Sequence, residues 1–305
     1  MNMLTLLFPD LALVLIGQLL FRAQIWSREF WQGLEKMIYF LLFPALLFNT
    51  ILNTDLGAAG AGPAVSVALG AIAVGLTLGY LARPLFRPVA VQFASGVQCA
   101  FRFNSYILLA LSQRLGGEPG LALAAVIMGA SVPILNVAAV WPLARNTGSG
   151  LAGELARNPL ILATLAGLAG NLAGLSLPDP IGATIGRLGS ASLVLGLLTA
   201  GAGLRLERSK SSDAASRISA LKLAVWFTGV KLVAMPAAAL LLSMLFGLAP
   251  LAQSIVVMYA SMPTAPAAYI LASRMGGDGP FVAMLVTISM LGTLVALPFW
   301  LSLAH

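Results

Sequence analysis

Apolar residues in this chain fall in long uninterrupted blocks, not at the period of an amphipathic helix or strand. The blocks run to roughly 16 to 25 residues, about enough helix to cross some 30 Å of hydrocarbon. Ten spans follow: Leu4–Leu20, Met37–Leu52, Ala64–Ala82, Val89–Gln113, Gly120–Leu143, Leu160–Leu175, Ile181–Leu204, Leu223–Phe246, Leu251–Ser273 and Pro280–Leu303. Turn-forming residues separate them, among them Arg83-Pro84, Gly116-Gly117-Glu118-Pro119, Pro178-Asp179-Pro180 and Gly276-Gly277-Asp278-Gly279-Pro280. The longest polar stretch, Arg205 to Lys222, reads as a cytosolic loop or a short surface helix.

Composition agrees with this pattern. Only 9% of residues are charged and 59% are hydrophobic, with a mean hydropathy of +0.96, whereas a soluble domain carries about 25% charge. The pattern predicts an all-α integral membrane protein. Its first block lacks a basic leader and a small-residue cleavage site, so it is expected to stay as a helix. The net charge of +7 is read as lysine and arginine held on the cytoplasmic side, not as a nucleic-acid surface. Thirteen of the 17 basic residues lie in the odd-numbered connections, while the even connections and the termini hold only Arg114. That bias puts both termini outside the cell. Cys99 is the one cysteine and His305 the one histidine, so neither a disulfide framework nor a metal or cofactor site is expected.

Ala110-Leu-Ser-Gln-Arg-Leu-Gly-Gly-Glu118 and Ile270-Leu-Ala-Ser-Arg-Met-Gly-Gly-Asp278 align at an offset of 160 residues. Each closes one long span and opens the next. The chain is thus expected to hold two five-helix repeats, 1–143 and 144–305. Five is odd, so the copies lie inverted in the membrane, an arrangement that in secondary transporters places substrate where the repeats meet.

Repeat partners four and nine both carry an interruption near mid-depth. The fourth has Arg102-Phe103-Asn104-Ser105 and the ninth has Met262-Pro263-Thr264-Ala265-Pro266. Prolines three apart remove donors and break a helix, and the exposed start of a half-helix suits an anion. Arg102 and Lys231 are cations at mid-depth with no acid near them in the sequence pattern. A buried cation without a counter-ion is expensive, and a carboxylate substrate would supply the charge. The candidate binding set is therefore Arg102, Asn104, Ser105, Pro263, Thr264, Pro266, Asn136 and Lys231. A structural reading stands beside the functional one for several of these. Arg102 could bond backbone carbonyls of the broken ninth helix, Lys231 carbonyls freed by Pro236, and Asn136 a neighbouring helix.

Leu42-Phe-Pro44-Ala-Leu-Leu-Phe-Asn-Thr-Ile51, Arg102-Phe-Asn104-Ser-Tyr, Pro133-Ile-Leu-Asn136, Lys231 ahead of Pro236, and Ser261-Met-Pro263 leading to Arg274-Met-Gly-Gly-Asp278 resemble, in order along the whole chain, the auxin efflux carrier family. Its bacterial members are described as permeases for malate, malonate or similar organic acids. The resemblance implies ten helices, with a scaffold at about 4–52 and 160–204 and a transport domain at about 64–143 and 223–303. Helices four and nine would cross at their breaks, and scaffolds would pair into a homodimer. In plant relatives an asparagine at the position of Asn104 meets the auxin carboxylate, but their fourth helix also has a proline two turns later, where this chain has Leu111. Auxin itself is therefore not the expected substrate.

The expected function is elevator-type transport of small mono- or dicarboxylates across a bacterial inner membrane. A sodium-coupled symporter of the bile-acid type and a non-transporting membrane sensor are the alternatives. The first would need acidic and amide sodium ligands near the crossing, and only amides and hydroxyls occur there.

Overall fold

A computed structural model describes residues 3–53, 61–147, 159–203 and 214–304, and these are helical throughout apart from short turns and two interruptions. Among the described residues, six helices are long and apolar enough to cross a membrane by length and composition: Arg28–Leu52, Ala61–Phe86, Pro119–Asn146, Asp179–Thr199, Ser216–Leu245 and Gly279–Leu303. The other four expected blocks are helical too. Two are the shorter rods α1 (Met3–Arg22) and α7 (Pro159–Leu172), and two are broken near their middles.

The element order explains where hydropathy misplaced the ends. α2 (Arg28–Met37) begins well before the apolar block and runs through a wide π turn at Ile38–Leu42 into α3 (Phe43–Leu52). Its first turns are amphipathic, and Ser27 caps them by accepting from the Phe30 N–H at 3.3 Å. α4 covers Ala61–Phe86, and α5 (Ala90–Gly96) tightens into a 3-10 turn at Val97–Ala100. α6 (Ser105–Thr147) kinks at Gly117, whose φ of +59° only glycine adopts without strain. α8 follows at Asp179–Gly203. α9 (Ala214–Gly229) takes in Arg217 and Lys222, so the end of the polar stretch is helix; its beginning lies outside the described residues. A second π turn at Val230–Ala234 joins α9 to α10 (Met235–Leu245). The chain closes with α11 (Pro250–Ser261), α12 (Ala267–Arg274) and α13 (Gly279–Leu303).

The two Gly-Gly turns do the same work with different glycines. Gly117 carries the positive φ in the first and Gly276 (φ +68°) in the second. After the second, Asp278 caps α13 by accepting from the Phe281 N–H at 3.0 Å.

Close packing falls into two groups. α1 lies along α8, and α3 packs against α7 and α8. Gly17 makes the first contact possible, since a Cβ there would collide with the backbone carbonyl of Leu198. Asn171 of α7 ties the second by donating to the Ile51 and Leu52 carbonyls at 3.1 and 2.9 Å, which caps the end of α3. The other group gathers α4, α5, α6, α9, α10, α11 and α13.

Proline in a membrane helix leaves the carbonyl four residues earlier without its donor. Two aromatic side chains answer this in the second group. The Trp300 indole N–H reaches the Leu232 carbonyl, freed by Pro236, at 2.8 Å. The Tyr80 hydroxyl reaches the Ala138 carbonyl, freed by Pro142, at 2.7 Å. Trp300→Phe keeps most of the packing and removes the donor. Thermal unfolding in micelles should then show a loss of about 1–3 kcal/mol, and an unchanged unfolding curve would mean that another group satisfies Leu232.

Candidate functional site

The site begins with two chain breaks that complete each other. α5 ends at Ala100, Phe101 leaves helical geometry at φ −134°, and α6 restarts at Ser105. α11 ends at Ser261, Met262 is extended, and α12 restarts at Ala267. Buried backbone in such gaps must find partners within the protein. Asn104 donates its N–H to the Pro263 carbonyl at 2.8 Å. Thr264 donates its hydroxyl to the Cys99 carbonyl at 3.1 Å and its N–H to the Ser289 hydroxyl at 3.1 Å. Gln98 donates to the Ala268 carbonyl at 3.2 Å, and the Lys231 ammonium donates to the Ala260 carbonyl at 3.0 Å. Phe103 and Tyr259 meet edge-on with ring centroids 4.5 Å apart.

The fourth span breaks without a proline at position 111, which is leucine. Asn104 supplies the reason: its side-chain oxygen accepts from the Ile107 N–H at 3.3 Å, which makes it the N-cap of α6. Leu111 stays buried within the continuing helix.

A small cavity of about 70 Å³ opens beside the crossing. Arg102, Asn104, Ser105, Asn136 and Pro266 line it from one packing group, and Phe43, Leu46, Leu47, Ser192 and Gly196 from the other. The starts of both resumed helices, Ser105 of α6 and Ala267 of α12, also lie on its wall. Each brings the partial positive charge of a helix N-terminus. Arg102 is 8% exposed. Its guanidinium donates to the side-chain oxygens of Gln98 at 3.0 Å and Asn136 at 3.3 Å. Both partners are neutral, so they orient the group without cancelling its charge. None of the described residues lining the cavity is acidic.

The structure thus brings together five of the eight candidate residues. Pro263 and Thr264 stand behind the wall, where their backbone and hydroxyl sew the crossing together. Lys231 is fully buried and away from the cavity, with its charge directed at the end of α11. It does not bond the carbonyl freed by Pro236, which Trp300 takes. Arg102 likewise bonds side-chain amides, not the carbonyls of the ninth span. Asn136 of α6 both accepts from the Arg102 guanidinium in the break and lines the cavity. Sequence reading missed Ser192 and Gly196, which look like ordinary small residues of a packing face.

Broken half-helices sewn together inside an apolar helical bundle, with a cationic cavity at their side, are the architecture of a membrane transport protein. Residues 143–301, just over half of the chain, match the family described as "Membrane transport protein", and the chain belongs to this auxin efflux carrier family. No curated protein matches it.

Lys231→Met separates a structural from a binding role. It should leave the affinity for the transported substrate unchanged, while the Ala260 carbonyl left without a donor lowers stability by about 1–3 kcal/mol. A loss of affinity as large as that of Arg102 variants would put the ammonium in the binding site.

Proposed function

We propose that the protein is a secondary carrier of small organic anions, such as mono- or dicarboxylates, and that the anion binds at the Arg102 cavity. The observation that carries this reading is a buried guanidinium on a wall with no acid among its described residues, flanked by two helix N-termini. A carboxylate there receives a charged donor and two favourable dipoles at once. Asn104, Ser105 and Asn136 add hydrogen-bonding groups that fix its orientation. Phe43, Leu46 and Leu47 close the other side with apolar surface, which suits a short carbon chain.

In this reading ten helices cross the membrane as two inverted five-helix repeats, with both termini outside. The group containing α1, α3, α7 and α8 is the scaffold, and pairs of scaffolds form a homodimer. The other group carries the anion across by an elevator movement. Support for that division comes from the cavity, whose walls belong to both packing groups, and from the paired Gly-Gly turns.

Uptake into proteoliposomes tests the site. Arg102→Gln removes the charge and keeps a planar polar group. Uptake of the best mono- or dicarboxylate should fall by about 100-fold, the scale of losing one member of a buried charged pair, with the unfolding temperature little changed. Uptake at the parent rate by a folded Arg102→Gln protein would remove the anion from this cavity.

A further inference from the structure

A second site lies on the outside of the bundle, away from the crossing. Arg83 and Arg87 at the end of α4 and Arg145 at the end of α6 face one cavity of about 560 Å³. Tyr80, Phe93 and Trp141 form its aromatic wall, and none of the described residues lining it is acidic. An apolar groove of about 590 Å³ adjoins it, sharing Tyr80 and Trp141 and continuing over Pro133, Ile134 and Val137. Ile134, Val137 and Trp141 are exposed along α6.

Arginines at helix ends ordinarily complement the helix dipole or mark the side of the membrane that keeps positive charge. Two features go beyond that. Arg87 adopts φ +45°, a conformation that glycine takes without strain and other residues rarely take. Arg83 is held with its guanidinium 6.0 Å from the centre of the Phe93 ring. Both arginines are exposed at the mouth of the cavity, where a bound headgroup can reach them.

The order along this surface is three cations, then an aromatic belt, then an exposed apolar trough. That sequence of chemistries matches a phospholipid running from phosphate through glycerol to acyl chain. A soluble anion would use the arginines and leave the trough idle; a zwitterionic lipid would use the trough but offset its phosphate with its own cation. We propose that this surface binds an anionic membrane phospholipid, with its phosphate among Arg83, Arg87 and Arg145 and one acyl chain in the groove past Tyr80 and Trp141.

The test uses the full chain, delipidated in detergent, with thermal unfolding and native mass spectrometry as readouts. Phosphatidylglycerol should stabilise the protein and stay bound, whereas phosphatidylcholine and soluble glycerol phosphate should not. The variant R83Q/R87Q/R145Q should lose the preference for phosphatidylglycerol, about fivefold for each arginine replaced. Val137→Trp keeps every arginine and fills the groove with a lipid-tolerated side chain, so it should weaken retention of phosphatidylglycerol even if the triple variant does not fold. Equal binding of both lipids, an undiminished preference in the folded triple variant, or undiminished retention by Val137→Trp would each overturn the proposal. Stabilisation by glycerol phosphate equal to that by the lipid would overturn it too, in favour of a soluble-anion site.

Discussion

A break in a membrane helix is tolerable only if its bare backbone finds partners away from water, and this protein meets that constraint by setting two breaks against each other. Each unsatisfied peptide group would cost several kcal/mol in hydrocarbon. Here the amide of Asn104 and the carbonyl of Pro263 satisfy one another, and the Cys99 and Ala260 carbonyls are taken by Thr264 and Lys231. Ser289 of α13 serves the Thr264 amide. Neither interruption could persist alone. The crossing is the reason that a cavity with polar walls exists inside an otherwise apolar bundle.

The same constraint sorts the two buried cations. A carbonyl end of a half-helix carries partial negative charge, and the Lys231 ammonium sits against one such end, that of α11. Its desolvation is offset locally by structure. Arg102 follows the carbonyl end of α5, yet its guanidinium bonds neutral side-chain amides on a wall that also holds two resumed helix starts. One cation is thus turned into the backbone at the end of α11 and the other toward a cavity wall. A similar depth in the sequence concealed opposite electrostatic settings.

Much of the fold was legible because lipid imposes a coarse rule, namely long apolar blocks separated by turn residues. The ends were less legible. The amphipathic first turns of α2 and the polar first turns of α9 look like loops by hydropathy, since a helix that extends beyond the apolar layer need not be apolar. For the site, the arginine and asparagine stood out because polar residues are rare at that depth. Pro263 and Thr264 were also conspicuous, yet they act through backbone and crossing contacts that residue type does not reveal. Ser192 and Gly196 reach the cavity only because α8 happens to pass it, a consequence of tertiary packing that no local pattern encodes. The break at Asn104 was ambiguous without a proline; its N-cap geometry resolves it, and the Asn-Ser pair at the start of an apolar run was the signal for that cap.

Where the rigid parts end matters for how a carrier of this design can work. Within the group around the crossing, Pro142 of α6 and Pro236 of α10 do not loosen their helices, because Tyr80 and Trp300 return a donor from a different helix to the carbonyl that each frees. Those bonds tie α4 to α6, and α13 to the turn before α10, so the kinks become fixed shapes and not hinges. The cavity sits at the edge of this fixed body, with Phe43, Leu46, Leu47, Ser192 and Gly196 of the other group opposite. Among the described residues, that opposite wall carries no charge, and the one cation lining the cavity, Arg102, belongs to the crossing. An anion held by Arg102 therefore has its strongest attachment to one body and only apolar, serine and glycine surface on the other. Binding that is lopsided in this way leaves the anion free to travel with the crossing while the opposite wall slides past, which is the condition that the proposed elevator movement requires.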